Sequence, residues 1–186
     1  MAMTIQSITQ GQANQKKPRS HYPVLAETRL LKPVGKSTVP VRTNPFNAEK
    51  FYQTGTGLYV YGMFPGRLNL SFRQTVDSAP ERPYVALLLK ENAYDRNIRK
   101  KLPDMHLSTL EDIAGLIEAQ PGGKPGFLLN NGYANIFYVE ENSEVFVVDV
   151  GWKFDRCEWG VDGWKLGEAG RWRVDTQVLC PSNAAL

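Results

Sequence analysis

The feature of the chain that most limits its fold is a series of four short runs rich in aromatic and β-branched residues. The runs occupy residues 133–139, 144–150, 157–164 and 171–179, and only short turn-like segments separate them. Strands that follow one another so closely pair antiparallel in chain order. The last run also alternates apolar with polar residues, as a strand does when one face is packed and the other is polar. These runs therefore predict a four-stranded antiparallel meander.

A hairpin and a helix are predicted before the meander. Residues 58–64 and 67–72 have strand composition, and the pair Pro65-Gly66 between them favours a turn. The apolar run 84–89 fits a strand covered on both faces, although a buried helical turn also fits so short a run. Ser108 and Glu111 have capping-box spacing, and apolar residues follow at helical spacing as far as Pro121. This pattern predicts a helix over residues 108–119.

Together these elements predict an α+β fold: a mainly antiparallel sheet, made of the hairpin plus the C-terminal four-strand meander, packed on one or two helices. A chain of 186 residues fits a single domain, here 46–182, followed by a tail at 183–186. Residues 1–21 lack hydrophobic periodicity and are predicted to form a basic disordered arm. Residues 22–45 contain four prolines, which cannot donate to a β ladder. We expect this segment to be an extended lead-in with irregular or edge structure.

Several classes of protein and of site are disfavoured. No apolar run reaches the ~20 residues of a membrane helix, and the N-terminus lacks the pattern of a secretory signal, so a cytoplasmic location is expected. Cys157 and Cys180 are then expected as reduced thiols rather than as a disulfide. Two Cys and two His fit no zinc spacing, so neither a metal nor a cofactor is predicted. Four carboxylates of the meander could converge on a hard cation but lack the spacing of a calcium loop: Asp149, Asp155, Glu158 and Asp162.

Charge is distributed unevenly along the chain. Residues 1–101 carry 16 Lys and Arg against 6 Asp and Glu, whereas residues 102–186 carry 6 against 13. A basic segment attracts phosphate or an acidic protein surface, and the acidic half would repel a duplex lying across the sheet. The candidate contacts are the cations of the arm and of the densest cluster: Lys16, Lys17, Arg19, Arg96, Arg99, Lys100 and Lys101. In a helical turn, Arg96, Arg99 and Lys100 would share one side. The alternative interpretation of such runs is ordinary solvated surface.

The four tryptophans lie close together in the meander: Trp152, Trp159, Trp164 and Trp172. Most are expected to fill the core, because Trp carries a large apolar area and suits strands. Strand parity directs Trp159 inward and leaves Trp164, near a strand end, as the best candidate for an exposed ring. Tyr133 or Tyr138 is the accompanying candidate. Such rings would serve as stacking platforms for bases or sugars.

Catalytic groups are scarce in this chain. His21 falls in the arm, so His106 is the histidine expected in the folded part. Cys157, His106 and an aspartate would satisfy the roles of nucleophile, base and orienter, but no local motif predicts that they meet. A cysteine-dependent enzyme is therefore the third hypothesis, behind two classes of binding protein.

Three segments of the chain resemble a set of small uncharacterised microbial proteins. The first combines Phe51-Tyr52-Gln53-Thr54 with Gly57-Leu58-Tyr59-Val60, and the second is LLNNGYANIFY at 128–138. The third is a C-terminal strand that ends in a Pro-Ser turn. The resemblance covers about residues 51–182 and carries no active site. It implies a single recurring domain preceded by a variable segment.

The leading hypothesis is a non-enzymatic binding protein, with nucleic acid or a nucleoprotein as its partner, bound through the basic arm and cluster. The alternative is a protein-interaction factor, such as an inhibitor or assembly factor of a mobile element or phage. In that case the opposite charges of the two halves would bind a partner protein. The shortage of catalytic groups favours both classes over an enzyme.

Overall fold

The computed structural model describes residues 27–55, 57–70, 75–103 and 106–182. The predicted arm, with Lys16, Lys17 and Arg19, and the tail at 183–186 lie outside the described residues. The strands are β1 Leu31–Val39, β2 Leu58–Val60, β3 Arg82–Leu89, β4 Ala93–Tyr94, β5 Leu107–Ser108, β6 Asn135–Glu141, β7 Glu144–Lys153, β8 Glu158–Lys165, β9 Arg171–Trp172 and β10 Gln177–Pro181. The helices are α1 Ala48–Phe51, α2 Phe64–Arg67, α3 Asp95–Arg99 and α4 Leu110–Glu118. The predicted α+β class is confirmed.

Eight strands form one open, mixed sheet in the order β1-β3-β10-β6-β7-β8-β2, with β5 paired to β6 beside this path. Most neighbours are antiparallel, but β10 with β6, β8 with β2 and β5 with β6 are parallel. Strands β4 and β9 form a separate antiparallel ribbon. Strand β10 is buried throughout and β3 nearly so. The middle of the sheet is therefore covered on both faces.

Each face of the sheet packs against its own apolar layer. On the helix side, α1, α2 and α4 cover the sheet through residues such as Ile113. On the ribbon side, α3 and the β4–β9 ribbon cover it through Ile98 and Trp172. Side chains alternate between the two sides along a strand, so in β7 Val148 faces the helix side and Val147 faces the ribbon side.

The predicted helix is present as α4, with its cap shifted by one residue. Thr109, rather than Ser108, is the N-cap: its hydroxyl accepts a hydrogen bond from the Asp112 amide, and the Asp112 carboxylate accepts one from the Thr109 amide, both at 3.2 Å. Ser108 belongs to β5. The Asp112 carboxylate also accepts from Arg82 at 2.6 Å and from the Tyr84 hydroxyl at 2.9 Å, which joins the helix start to β3. No helix within the described ranges is long and apolar enough to cross a membrane.

The predicted hairpin around Pro65 is wrong. Strand β2 pairs in parallel with β8, and Pro65 lies in the first turn of α2, where a missing amide costs no hydrogen bond. Phe64 and Leu68 are buried against Gly163 of β8, where a Cβ atom would lie within 3.0 Å of both side chains. The segment around Pro65 thus forms a helical turn that packs onto the sheet. Residues 71–72, the end of the predicted second strand, lie outside the described ranges.

Three strands of the predicted meander, β6, β7 and β8, pair antiparallel in chain order as expected. The fourth is wrong as a single strand, because Asp175 adopts a left-handed conformation with φ of 68° and separates β9 from β10. Strand β9 joins the ribbon, where the Trp172 indole binds the buried Asp95, and β10 lies between β3 and β6. The predicted polar face is correct for Arg171, Arg173 and Asp175, which are exposed, but wrong for Gln177, which is buried and whose amide donates to the Asn135 side chain at 3.1 Å.

The proline-rich lead-in contributes the edge strand β1. It pairs antiparallel with β3, and a register shift between Pro33 and Gly35 accommodates a residue that has no amide to donate. This is the edge structure expected for the segment, and it makes β1 continuous with the sheet. The apolar run 84–89 lies in β3, so the strand interpretation is correct and the helical turn is not.

Candidate nucleic-acid interface

An exposed aromatic ring and several cations are grouped on the β4–β9 ribbon. Tyr94 of β4 stands opposite Arg171 of β9 in the antiparallel register. Tyr94 is 47% exposed, and the Arg96 guanidinium lies over its ring, 5.8 Å from the centroid. The Arg171 guanidinium is restrained by its hydrogen bond to the Asn92 carbonyl, at 3.3 Å. We define the ribbon surface by six exposed residues: Tyr94, Arg96, Lys100, Lys101, Arg171 and Arg173.

A fully buried carboxylate fixes the ribbon surface from below. Asp95, the first residue of α3, accepts hydrogen bonds from the Trp172 indole at 2.6 Å, the Tyr138 hydroxyl at 3.2 Å and the Gly167 amide at 3.3 Å. Three donors offset the cost of removing this carboxylate from water. Burial and the Asp95 charge raise the pKa of Tyr138 above its usual value, so the hydroxyl remains a donor. The network joins α3, β6 and β9 and sets the orientation of α3 against the ribbon.

The predicted basic cluster has an outer and an inner part. Three of its four cations, including Arg96 and Lys100, are exposed on the ribbon surface. Arg99 is turned inward, so the prediction that it shares a side with Arg96 and Lys100 is wrong. Its Nε donates to Nε2 of His106 at 3.1 Å, and its guanidinium lies 5.8 Å from the centroid of the Tyr138 ring. Arg99 is therefore occupied by contacts within the protein.

Tyr133, a predicted aromatic candidate, lines an open cavity beside the ribbon. The cavity has a volume of about 500 Å³, and Arg171 and Arg173 also line it. Gly132 turns the chain just before Tyr133, with φ of 86° in the left-handed region that favours glycine. Because Arg171 belongs to both the cavity and the ribbon surface, the structure brings Tyr133 next to that surface.

Trp164, the other predicted stacking platform, lies elsewhere. It is on β8, whereas Tyr133 precedes β6. Measured along the strand direction, the positions of the two residues differ by about five residues, or roughly 16 Å. Trp164 is half-buried, and the Arg67 guanidinium covers its ring at 4.9 Å from the centroid. Because it is half-buried, its ring offers less open surface for stacking than the ring of Tyr94, which is 47% exposed. The other tryptophans pack in the two cores, as predicted for most of them: Trp152, Trp159 and Trp172.

The structure does not assemble the hypothetical cysteine site. Cys157 is exposed in the turn after β7, whereas His106 is buried beside the Tyr138 ring. The position of Tyr138 beside β7 is about six residues, or roughly 20 Å, from the end of β7 that leads to Cys157. His106 accepts from Arg99 at Nε2, and its Nδ1 lies 2.7 Å from a backbone carbonyl, which indicates a neutral imidazole with its hydrogen on Nδ1. Burial raises the pKa of the other thiol, Cys180, to about 12. Within the described ranges, the structure therefore does not bring Cys157 and His106 together.

Among the described residues, no three His, Cys, Asp or Glu side chains are grouped as metal ligands. Two of the four meander carboxylates are nevertheless adjacent: Asp149 and Asp162 stand directly opposite each other on β7 and β8. Asp155 is exposed in the turn between these strands, and Glu158 lies 3.8 Å from the Arg156 guanidinium. Of the four predicted carboxylates, the structure therefore brings Asp149 and Asp162 together as a pair.

Sequence reasoning missed three members of the ribbon surface: Tyr94, Arg171 and Arg173. Tyr94 comes just before the basic cluster, and the two arginines flank Trp172 in an alternating run. Those patterns indicate exposed positions. They carry no information that the two segments pair, because β4 and β9 lie far apart along the chain.

A scan against protein-family models and searches of curated proteins and of solved structures found no match to this chain. The functional argument therefore depends on the geometry of the described residues.

Proposed function

We propose that the chain binds single-stranded nucleic acid through the ribbon surface. The observation that carries the proposal is the placement of Tyr94 opposite Arg171, with Arg96 over the tyrosine ring, on a ribbon anchored by a buried carboxylate. Cations neutralise backbone phosphates, and an exposed aromatic ring stacks on an unpaired base. The ribbon surface offers both groups side by side.

The cavity beside the ribbon supports a single strand in particular. A base that is free of a duplex can enter the cavity and meet Tyr133, while Arg171 and Arg173 at the same cavity meet the flanking phosphates. Bases of a duplex stay stacked in its interior and cannot reach the ring in this way. The proposal therefore favours single strands over duplexes.

Fluorescence anisotropy of a labelled oligonucleotide tests the proposal. Five cations of the ribbon surface predict a slope of log K against log salt of roughly −3.5 for a single strand. Tyr94→Ala should weaken binding by about 1–3 kcal/mol through lost stacking and leave the slope unchanged. Arg96→Gln should flatten the slope by roughly 0.7. Lys36→Gln, which alters an exposed cation on the edge strand β1, is the matched control and should change neither quantity.

The predicted arm is tested in the full-length chain. Replacing Lys16, Lys17 and Arg19 together by Gln should flatten the salt slope by roughly 2 if the arm contacts phosphates. Absence of oligonucleotide binding at roughly 50 mM salt would overturn the proposal. Tighter binding to a duplex than to a single strand would contradict the role of Tyr94. A stoichiometric protein complex that survives nuclease would support the protein-interaction alternative instead.

A further inference from the structure

Two aspartates face each other on the ribbon side of the sheet. Asp149 of β7 and Asp162 of β8 are directly opposite in the antiparallel register, so both side chains project from the same face. Both residues keep partial exposure. Like charges at directly opposed positions destabilise a sheet. Such a pair therefore needs a compensating positive group.

Asp149 is the unusual member of the pair. Its Oδ1 atom is inaccessible to solvent, and no donor in the described part of the chain bonds it. An ionised carboxylate without a donor is costly to bury, and such an atom in a native fold calls for a ligand, an ion or water.

Other carboxylates of this fold do have donors. Asp95, which is fully buried, accepts three hydrogen bonds, as described above. Asp162 accepts from the Gly163 amide at 2.8 Å and lies 4.0 Å from the Arg67 guanidinium. The missing donor is therefore a local property of Asp149 and of the space around it.

Two glycines beside the aspartates bring a cation close to them. The next cross-strand pair is Gly151 and Gly160, which leaves this part of the sheet without side chains. Lys153 lies over the gap, because a Cβ atom at Gly160 would overlap with Lys153 Cε. Glycine inside a strand commonly marks the close approach of another group. Here that group is an ammonium, which lies 5.4 Å from the centroid of the Tyr61 ring.

Three cations near the aspartates are each held over an aromatic ring. The pairs, with their distances to the ring centroid, are Arg67 over Trp164 at 4.9 Å, Lys153 over Tyr61 at 5.4 Å and Arg156 over Tyr59 at 4.1 Å. A ligand ammonium would meet like charge at all three rings, which argues against an aromatic cage for an amine. Fixed cations favour an anionic ligand instead.

We propose that Asp149 and Asp162 bind a divalent cation that carries a phosphate group, with Lys153 contacting the phosphate. The metal supplies the partner that Asp149 Oδ1 lacks, and the phosphate on the metal supplies an anion for the Lys153 ammonium. Mg²⁺ is commonly held by one or two carboxylates, and water and phosphate complete its shell. The described residues place no third Asp, Glu, His or Cys ligand here, which fits that mode. The proposed site uses none of the residues that define the ribbon surface, so the two proposals are tested independently.

Binding of Mn²⁺, followed through the electron paramagnetic resonance signal of the free ion, tests the metal site. The full-length chain should bind Mn²⁺ with a Kd of roughly 10⁻⁴–10⁻³ M, as oxygen-ligand sites of low charge do. Asp149→Asn and Asp162→Asn should each raise this Kd by about tenfold or more, since even outer-shell partners contribute that much. Glu144→Gln removes an exposed carboxylate from the other end of β7 and should leave the Kd unchanged.

Parallel titrations test the phosphate and identify its source. Inorganic phosphate, ADP or a short oligonucleotide should lower the Kd for Mn²⁺ about tenfold in at least one titration. Tightening by phosphate or ADP indicates a small ligand, whereas tightening by the oligonucleotide alone indicates a nucleic-acid backbone. Lys153→Gln should remove most of the tightening without raising the Kd for Mn²⁺ alone. If Lys153 had a purely structural role, its replacement would change the Kd for Mn²⁺ alone as well as the tightening by phosphate.

Three results would overturn the proposal. They are no Mn²⁺ binding up to roughly 10 mM, an unchanged Kd in Asp149→Asn, and no tightening by any of the three phosphate compounds. Unfolding curves of the variants establish that each is folded. If Asp149→Asn is more stable than the parent and the parent binds no Mn²⁺, the pair holds only a proton.

Discussion

Replacing Asp149 by Asn should stabilise the protein at pH 8, although the change touches a partly buried residue. Burial first, and the Asp162 charge in addition, raise the pKa of Asp149 from 3.8 to about 6 against the opposing charge of Lys153. The native state therefore binds this proton more tightly than the unfolded state does. The resulting stability is complete below pH 4 and is lost as the pH rises through about 6. One pKa unit corresponds to about 1.4 kcal/mol, so ionisation costs about 3 kcal/mol.

Asparagine keeps the shape of the side chain and removes its charge, and its amide can donate to the opposed carboxylate. The expected gain is up to about 3 kcal/mol at pH 8 and close to zero at pH 4. For a chain of this size, that gain corresponds to a Tm increase of roughly 6–12 °C. Urea unfolding followed by tryptophan fluorescence between pH 4 and 8, with a chelator present, measures both quantities. Glu144→Gln should change stability by less than about 1 kcal/mol, because its ion pair with Lys165 is exposed.

The shape of the pH profile is the decisive part of this experiment. The parent should lose stability between about pH 4 and 6 relative to Asp149→Asn, so the two curves should diverge as the pH rises. Parallel curves, or a variant less stable than the parent at pH 8, would refute the reasoning. Either result would mean that the Asp149 carboxylate has a favourable partner in the native state.

Three further changes test other parts of the structure. Asp95→Ala leaves two buried donors, the Trp172 indole and the Tyr138 hydroxyl, and the Gly167 amide unpaired, and it should cost about 3–5 kcal/mol in urea unfolding. A cost below about 1 kcal/mol would contradict the buried network. Gly123→Ala would bring a Cβ atom within 2.5 Å of an indole, so it should cost about 1–3 kcal/mol more than Gly122→Ala, whose similar φ meets free space; equal costs would disprove the close contact. A thiol reagent should modify Cys157 in the native protein and Cys180 only after unfolding, because Cys157 is exposed and burial raises the pKa of Cys180 to about 12. Labelling of both thiols in the native protein would contradict the burial of Cys180.

The elements that could be predicted from the sequence are those whose signals are local. Helix α4 has a cap and an apolar face within a few residues, and β6, β7 and β8 follow one another through short turns. The hairpin failed because the alternation at Leu68 and Leu70 resembles a strand, whereas Phe64 and Leu68 lie on a helical turn that packs against Gly163. The position of β10 between β3 and β6 could not be predicted, because its partners are distant in sequence. Alternation alone also could not reveal the left-handed turn at Asp175.

The candidate surface follows the same division between local and distant information. The exposure of Arg96 and Lys100 and the location of Tyr133 beside cations agree with the sequence-based candidates. Arg99 differs because His106, seven residues further along the chain, offers an acceptor for its guanidinium. The charge pattern around Arg99 does not indicate that partner. The pairing of Tyr94 with the β9 arginine, in contrast, is a contact between distant segments.

The uneven charge along the chain does not become a division between two halves of the folded molecule. Strand β4 comes from the basic part of the sequence and β9 from the acidic part, and their pairing sets Arg171 beside Tyr94 and Arg96. The opposed aspartates lie on β7 and β8 and project from the face of the sheet that the ribbon covers. The fold therefore interleaves the basic and the acidic parts of the chain, and the ribbon surface draws its cations from both parts. If the ribbon surface binds a single strand, removing Arg171 should weaken that binding as much as removing Arg96.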